Sequence, residues 1–194
     1  MTSCGETKSS DNKVYFCAKD RKFLVGRKTY VMGILNVTPD SFSDGGQYFN
    51  TASALEHARA LIEAGADIID VGGESTRPGY TPVTPEEEIS RIVPVISAIS
   101  AAFDVAISID TSKPKVAEAA IKAGAAIVND IWGFQHNADI AKVAYETSAG
   151  VILMFNARDE SLLSRSGDIV SDAVAFLEKS VKIARDAGIS DDHI

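Results

Sequence analysis

Amide and carboxylate side chains recur where short apolar runs end. Asn36 follows residues 30–35, Asp70 falls in 68–71, Asp110 follows 105–109, Asn129-Asp130 follow 127–128, and Asn156 comes shortly after 151–154. Burying such groups unpaired is costly, so together they are expected to line one shared polar mouth. Such a mouth offers carboxylates, which accept hydrogen bonds, and amides, which both donate and accept. The alternative, that each caps the next helix, accounts for one or two of these groups and less well for all. Nucleophilic catalysis lacks support, because no Ser/His/Asp set is present. His57, His136 and His193 fall in or near helical segments and read as surface residues. Cys4 and Cys17 read as reduced thiols, too few for a disulfide framework and without a Cys/His cluster beside them.

The elements that must position these groups alternate along the chain. Between the strand-like runs lie helix-like segments at about 52–64, 85–101, 113–123, 137–148 and 168–187. Thr84-Pro85 followed by Glu86, Glu87 and Glu88 is a strong helix start: a capping hydroxyl, a proline at the first position, and acids facing the positive helix end. Thr51 and Lys113-Pro114 are weaker starts. Gly65, Gly124, Gly150 and Gly188 each follow a helix-like segment, where a glycine can take the left-handed conformation that closes it. A repeated helix–glycine–strand unit predicts consecutive βαβ crossovers and a parallel sheet. An open nucleotide-binding sheet loses ground because no Gly-rich phosphate loop follows the first strand. Polar groups at successive strand ends favour an α/β fold of the (β/α)8 TIM barrel type, whose site lies at the C-terminal rim. The expected organisation is a polar, disordered leader over 1–12, a hairpin over 13–29 and a partial barrel over 30–194.

Composition narrows the function classes. The 194 residues carry a net charge of −8 and are 45% hydrophobic. Residues 1–29 hold seven Lys/Arg against three Asp/Glu, leaving −12 on the remainder. An acidic body argues against nonspecific nucleic-acid binding. No apolar run approaches the roughly 18–20 residues that span a bilayer, so no membrane role is expected. The polar first 13 residues lack a signal-peptide apolar region, and a cytoplasmic location is expected.

Four segments add a resemblance. MGILNVTPDSFSDGG over 32–46 and GADIIDVGGESTRPG over 65–79 are similar to the first two signatures of the dihydropteroate synthase family. ISIDT over 107–111 and IVNDI over 127–131 match its next two strand ends in order and spacing. The resemblance runs from about residue 30 to the end of the chain. It implies a pterin-binding TIM barrel, of which this chain covers about the first five β/α units plus the N-terminal hairpin. The implied activity condenses 7,8-dihydropterin-6-ylmethyl diphosphate with p-aminobenzoate, giving 7,8-dihydropteroate and pyrophosphate, a step of folate biosynthesis targeted by sulfonamides. By the same resemblance Asp110 and Asn129 bind the pterin, with Ile131 and Met154 packing against its ring. Asn36 is a ligand of Mg²⁺. The connections 38–46 and 72–82 form the p-aminobenzoate site: Asp44 organises it, Phe42 packs on the aryl ring, and Thr76 and Arg77 flank it. Asp44, Thr76 and Arg77 are the implied catalytic group, and the family commonly forms homodimers. A related pterin-binding methyltransferase acting on methyltetrahydrofolate is the alternative, but the 38–46 and 75–79 segments favour the synthase.

The chain also departs from the family. The segments that in relatives supply a further pterin-contacting Asp and Lys, and an anion-holding Arg-x-His pair, do not occur in it. A polypeptide of residues 1–194 alone is therefore expected to be poorly folded or inactive, a truncated pterin-binding fragment. Phe155 stands where relatives often have His.

Overall fold

The computed structural model describes residues 13–37, 46–74, 82–158 and 167–194. The chain opens with an antiparallel hairpin, β1 (Tyr15–Ala18) and β2 (Arg21–Leu24). A five-stranded parallel sheet follows in chain order: β3 (Met32–Asn36), β4 (Ile68–Gly72), β5 (Ala106–Asp110), β6 (Ile127–Asp130) and β7 (Gly150–Leu153). Helices α1 (Gly46–Glu63), α2 (Pro85–Ala102), α3 (Pro114–Ala123) and α4 (Asp139–Thr147) join consecutive strands, and α5 (Ile169–Asp186) follows the last. This is the order of the first five β/α units of a TIM barrel.

Local sequence explains most boundaries. Thr84 caps α2, its Oγ1 accepting from the Glu87 amide at 3.2 Å, with Pro85 in the first turn. Asp168 caps α5, accepting from the amides of Val170 and Ser171 at 3.4 and 3.0 Å. Gly65, Gly124 and Gly188 take φ of +103°, +124° and +100°, as their positions after helices predict. Gly150 does not belong with them. Ser148 supplies the left-handed residue after α4, at φ 53°, and Gly150 opens β7. A Cβ there would lie 2.7 Å from the Phe16 ring and 2.9 Å from the Cys17 carbonyl. Its role is close approach of the hairpin to the sheet, not helix termination. Helix α1 begins at Gly46, ahead of the start expected near Thr51.

Each strand alternates between two faces. Leu35, Ile69, Val71, Ile107, Ile109, Val128 and Val151 point to the helices and form the main core. The opposite face is divided along the strands. At its N-terminal end Ile68, Ala106 and Ile127 pack beneath Phe16, Ala18 and Phe23 of the hairpin. Phe23 also meets Tyr30 edge-on at 5.1 Å, and the Lys19 amide donates to the Ser148 carbonyl at 2.8 Å. The hairpin thus seals the bottom of the sheet with apolar side chains and leaves the polar C-terminal end open. Ile34, 63% exposed, and Met154, 42% exposed, stand along that open face. No helix among the described residues is long and apolar enough to cross a membrane.

Candidate functional site

The parallel register lines up three polar residues and a glycine at the C-terminal ends of four strands. Gly72 pairs with both Asn36 and Asp110, and Asp110 pairs in turn with Asn129. Asn129 Nδ2 donates to Asp70 Oδ2 at 3.0 Å, which fixes the amide against the sheet. Glycine keeps the centre of this row clear. A Cβ on Gly72 would sit 3.4 Å from Asn36 Oδ1 and 3.8 Å from Asp110 Oδ2. The hollow between Asn36 and Asp110 is therefore lined by backbone. Gly72→Ala is expected to fold normally, since these are ordinary contact distances, yet to fill the hollow. Ligand affinity should fall at least ~10-fold, as calorimetry would measure, with the melting temperature nearly unchanged.

Charge concentrates around Asp110. Burial, followed by the nearby carboxylates of Asp70, Asp130, Glu88 and Glu74, pushes its carboxyl up to about 7. Asp70 is 6% exposed; burial raises it too, against the Ser108 hydroxyl and the Asn129 amide. An acid poised near neutrality gains strongly from ligand N–H donors, which favour its charged form. Beside an amide that offers both a donor and an acceptor, it suits a cyclic amidine or guanidine-like edge.

Not every strand-end group joins this row. Asp130 is fully buried and turned to the other face. Its Oδ1 accepts from the Trp132 amide at 2.9 Å and its Oδ2 from the Phe134 amide at 2.8 Å. It braces a turn in which Gly133 and the buried Phe134 take φ of 56° and 65°. Asn156 is also buried, and its Oδ1 accepts from the Arg158 amide at 3.0 Å. For Asp130 this local structural role replaces the shared mouth expected from sequence. Ile131 is half-buried directly after Asn129-Asp130, and the Met154 amide donates to the Asp130 carbonyl at 3.2 Å. Ile131 thus follows the strand that carries Asn129, and Met154 follows the neighbouring strand β7. Phe42, Asp44, Thr76 and Arg77 lie outside the described residues. His57 and His136 are exposed; His136 stacks on Trp132 at 3.9 Å, and His193 is half-buried.

The structure adds a charged cluster beside the row. Lys113 Nζ donates to Glu74 Oε2 at 2.6 Å, to Glu88 Oε2 at 2.7 Å and to the Val83 carbonyl at 2.9 Å. Glu88 is 1% exposed, so the third acid of the α2 start is a buried ion-pair partner, not a solvated complement to the helix end. Nothing local in the sequence signals a pairing between residues 25 and 39 positions apart.

A parallel sheet whose strands lie in chain order, joined by helices and carrying polar side chains at its C-terminal end, has the architecture of the TIM-barrel enzymes. Residues 32–194 match the family of pterin binding enzymes, and the chain belongs to that family. It is 52% identical over 174 residues to a dihydropteroate synthase of Clostridium beijerinckii, across 90% of this chain and 63% of the relative. Among solved structures it resembles the dihydropteroate synthase of Clostridium difficile determined in the presence of pteroic acid, at 44% identity and a TM-score of 0.80, over 86% of this chain and 62% of that one. It also resembles the Xanthomonas albilineans enzyme determined with 4-aminobenzoic acid, at 37% identity and a TM-score of 0.83, over 93% and 64%. The chain thus spans a little under two thirds of the length of these relatives.

Proposed function

We propose that this chain forms the pterin-binding part of a dihydropteroate synthase. The reaction would join 7,8-dihydropterin-6-ylmethyl diphosphate to p-aminobenzoate, releasing pyrophosphate and 7,8-dihydropteroate. The observation that carries this reading is the in-register Asp110–Asn129 pair, with Asn129 tied to Asp70 and the hollow beneath Gly72 left open. The Asp110 carboxylate would accept from the amino and ring N–H edge of the pterin, and Asn129 would match the neighbouring positions. Ile131 and Met154 would contact the flat ring. Phe42, Thr76 and Arg77 would receive p-aminobenzoate, and Asp44 would order its own connection around the substrates.

The chemistry needs little from side-chain nucleophiles. Departure of pyrophosphate breaks the methylene C–O bond and leaves a cation spread over the pterin ring. The aniline nitrogen then attacks that carbon and loses a proton. Orientation of the two reactants and stabilisation of separating charge supply the rate enhancement. Among the described residues no group of three or more His, Cys, Asp or Glu forms a metal centre. Asn36 fits Mg²⁺ in another way: it presents one neutral oxygen at the open hollow, and magnesium commonly takes few protein ligands beside phosphates and water. A magnesium ion held there supplies neutralisation of diphosphate charge.

The complete protein, given both substrates and Mg²⁺, should form dihydropteroate and pyrophosphate in equal amounts. Dihydropteroate formation absent under those conditions, with a relative's enzyme active alongside, would sink the proposal. We also propose a cytoplasmic homodimer for the complete protein, for which sedimentation at twice the monomer mass is the expected result.

A further inference from the structure

The Lys113 cluster joins three pieces of chain that the site needs in register. Lys113 stands three residues beyond Asp110, where β5 gives way to α3. All three ammonium protons are used, two on carboxylates and one on the Val83 carbonyl. Glu74 and Val83 are the residues on either side of the β4–α2 connection, and they also meet directly: the Val83 amide donates to Glu74 Oε2 at 2.8 Å. Arg91 of α2 adds a fifth tie, its Nη1 donating to the Gly73 carbonyl at 2.8 Å. Helix α2 presses so closely here that a Cβ on Gly73 would lie 2.6 Å from Ile92 Cγ2 and 2.9 Å from Glu88 Cγ.

Stability alone is a poor account of this arrangement. A buried ion pair recovers its desolvation cost only with full hydrogen bonding, and apolar replacements of such pairs are often equally stable. What a fully satisfied ammonium does provide is one defined geometry for its acceptors. We infer that Lys113 is a positioning residue that, through Glu74 and Val83, clamps both ends of the β4–α2 connection to the strand end carrying Asp110. The clamp rests on the function proposed above, which places p-aminobenzoate contacts on that connection and the pterin at Asp110. It would set the distance between the two substrates, and Lys113 itself touches neither.

The test uses two variants of the complete protein. Glu74→Ala cuts the Lys113–Glu74 bridge and removes the acceptor of the Val83 amide, while leaving Lys113 on Glu88 and the Val83 carbonyl. Lys113→Met combined with Glu88→Gln removes the clamp without leaving Glu88 as an unpaired buried charge, and it leaves the Val83 amide its Glu74 acceptor, so exchange at Val83 in this variant reads the clamp itself. Amide hydrogen exchange at Val83 should accelerate at least ~10-fold in both, while the Ala126 amide, which donates to the Ile107 carbonyl in the β5–β6 region, changes less than about twofold. The KM for p-aminobenzoate should rise about 10-fold, with the KM for the pterin diphosphate within about twofold. Unchanged exchange at Val83 overturns the clamp, and so does equal acceleration at Val83 and Ala126. Faster exchange at Val83 with an unchanged p-aminobenzoate KM overturns its positioning role. Failure of the proposed function shows separately, as no turnover in the unsubstituted protein, and the exchange result then decides the clamp alone.

Discussion

Asp110→Ala is expected to weaken binding of pteroic acid by about 10²–10³-fold while leaving the fold at least as stable. Removing the carboxylate strands the N–H donors of a buried ligand edge, the costly side of hydrogen-bond deletion. Stability should move the other way because the free protein bears the cost of the charge. The native carboxyl titrates near 7, above its ordinary 3.8, because it is buried among Asp70, Asp130, Glu88 and Glu74. Between those values the native state holds a proton that the unfolded chain has released. Folding is therefore favoured at low pH and loses stability as pH climbs from about 4 towards 7, after which the penalty is complete. Asp110→Asn, which carries no charge, should match the unsubstituted protein near pH 4 and exceed it by roughly 2–4 kcal/mol above pH 7. Ligand binding should strengthen over the same window as the carboxylate forms. Urea unfolding and calorimetry at several pH values read both effects. Ordinary pteroic acid affinity in Asp110→Ala would show that the pterin sits elsewhere.

Asp130→Ala should do the reverse, costing about 2–4 kcal/mol of stability at neutral pH. Its carboxylate satisfies two amides, those of Trp132 and Phe134, in a turn where a buried phenylalanine holds a positive φ. Without it both amides lose their partner and the left-handed backbone loses its brace. Burial raises the Asp130 carboxyl, and the two amides and His136 offset only part of that shift. Asp130→Asn keeps one acceptor and should fall between. Pterin affinity extrapolated to fully folded protein should drop less than in Asp110→Ala, because the Asp130 side chain points away from the site. A loss below ~0.5 kcal/mol in urea unfolding would contradict the bracing role.

These two aspartates mark how far the chain could be read without coordinates. The alternation of apolar runs with capped, amphipathic segments made the parallel β/α order legible, because caps, closing glycines and strand runs act within a few residues of one another. Asp110 and Asn129 were legible as polar strand-end residues for the same reason. Asp130 was not separable from Asn129. A strand sends successive side chains to opposite faces, and which of two adjacent polar residues reaches the site depends on the pairing register. That register placed Asn129 against Asp70 and turned Asp130 into the β6–α4 turn.

Glycine shows the same division. Gly65, Gly124 and Gly188 close helices, a local task that their sequence context foretells. Gly150 is required by what approaches it, the hairpin ring of Phe16, whereas Gly72 keeps the space between Asn36 and Asp110 clear. Only packing reveals such neighbours. Lys113 is the furthest case: its partners lie in β4–α2 and in α2 itself, and a lysine before Pro114 looks like any helix start. Local periodicity and capping chemistry suffice to order the strands and helices. Deciding which carboxylates share a pocket, which brace a turn and which hold a lysine takes the folded chain, because those energies arise between groups that only the tertiary structure brings within hydrogen-bond distance.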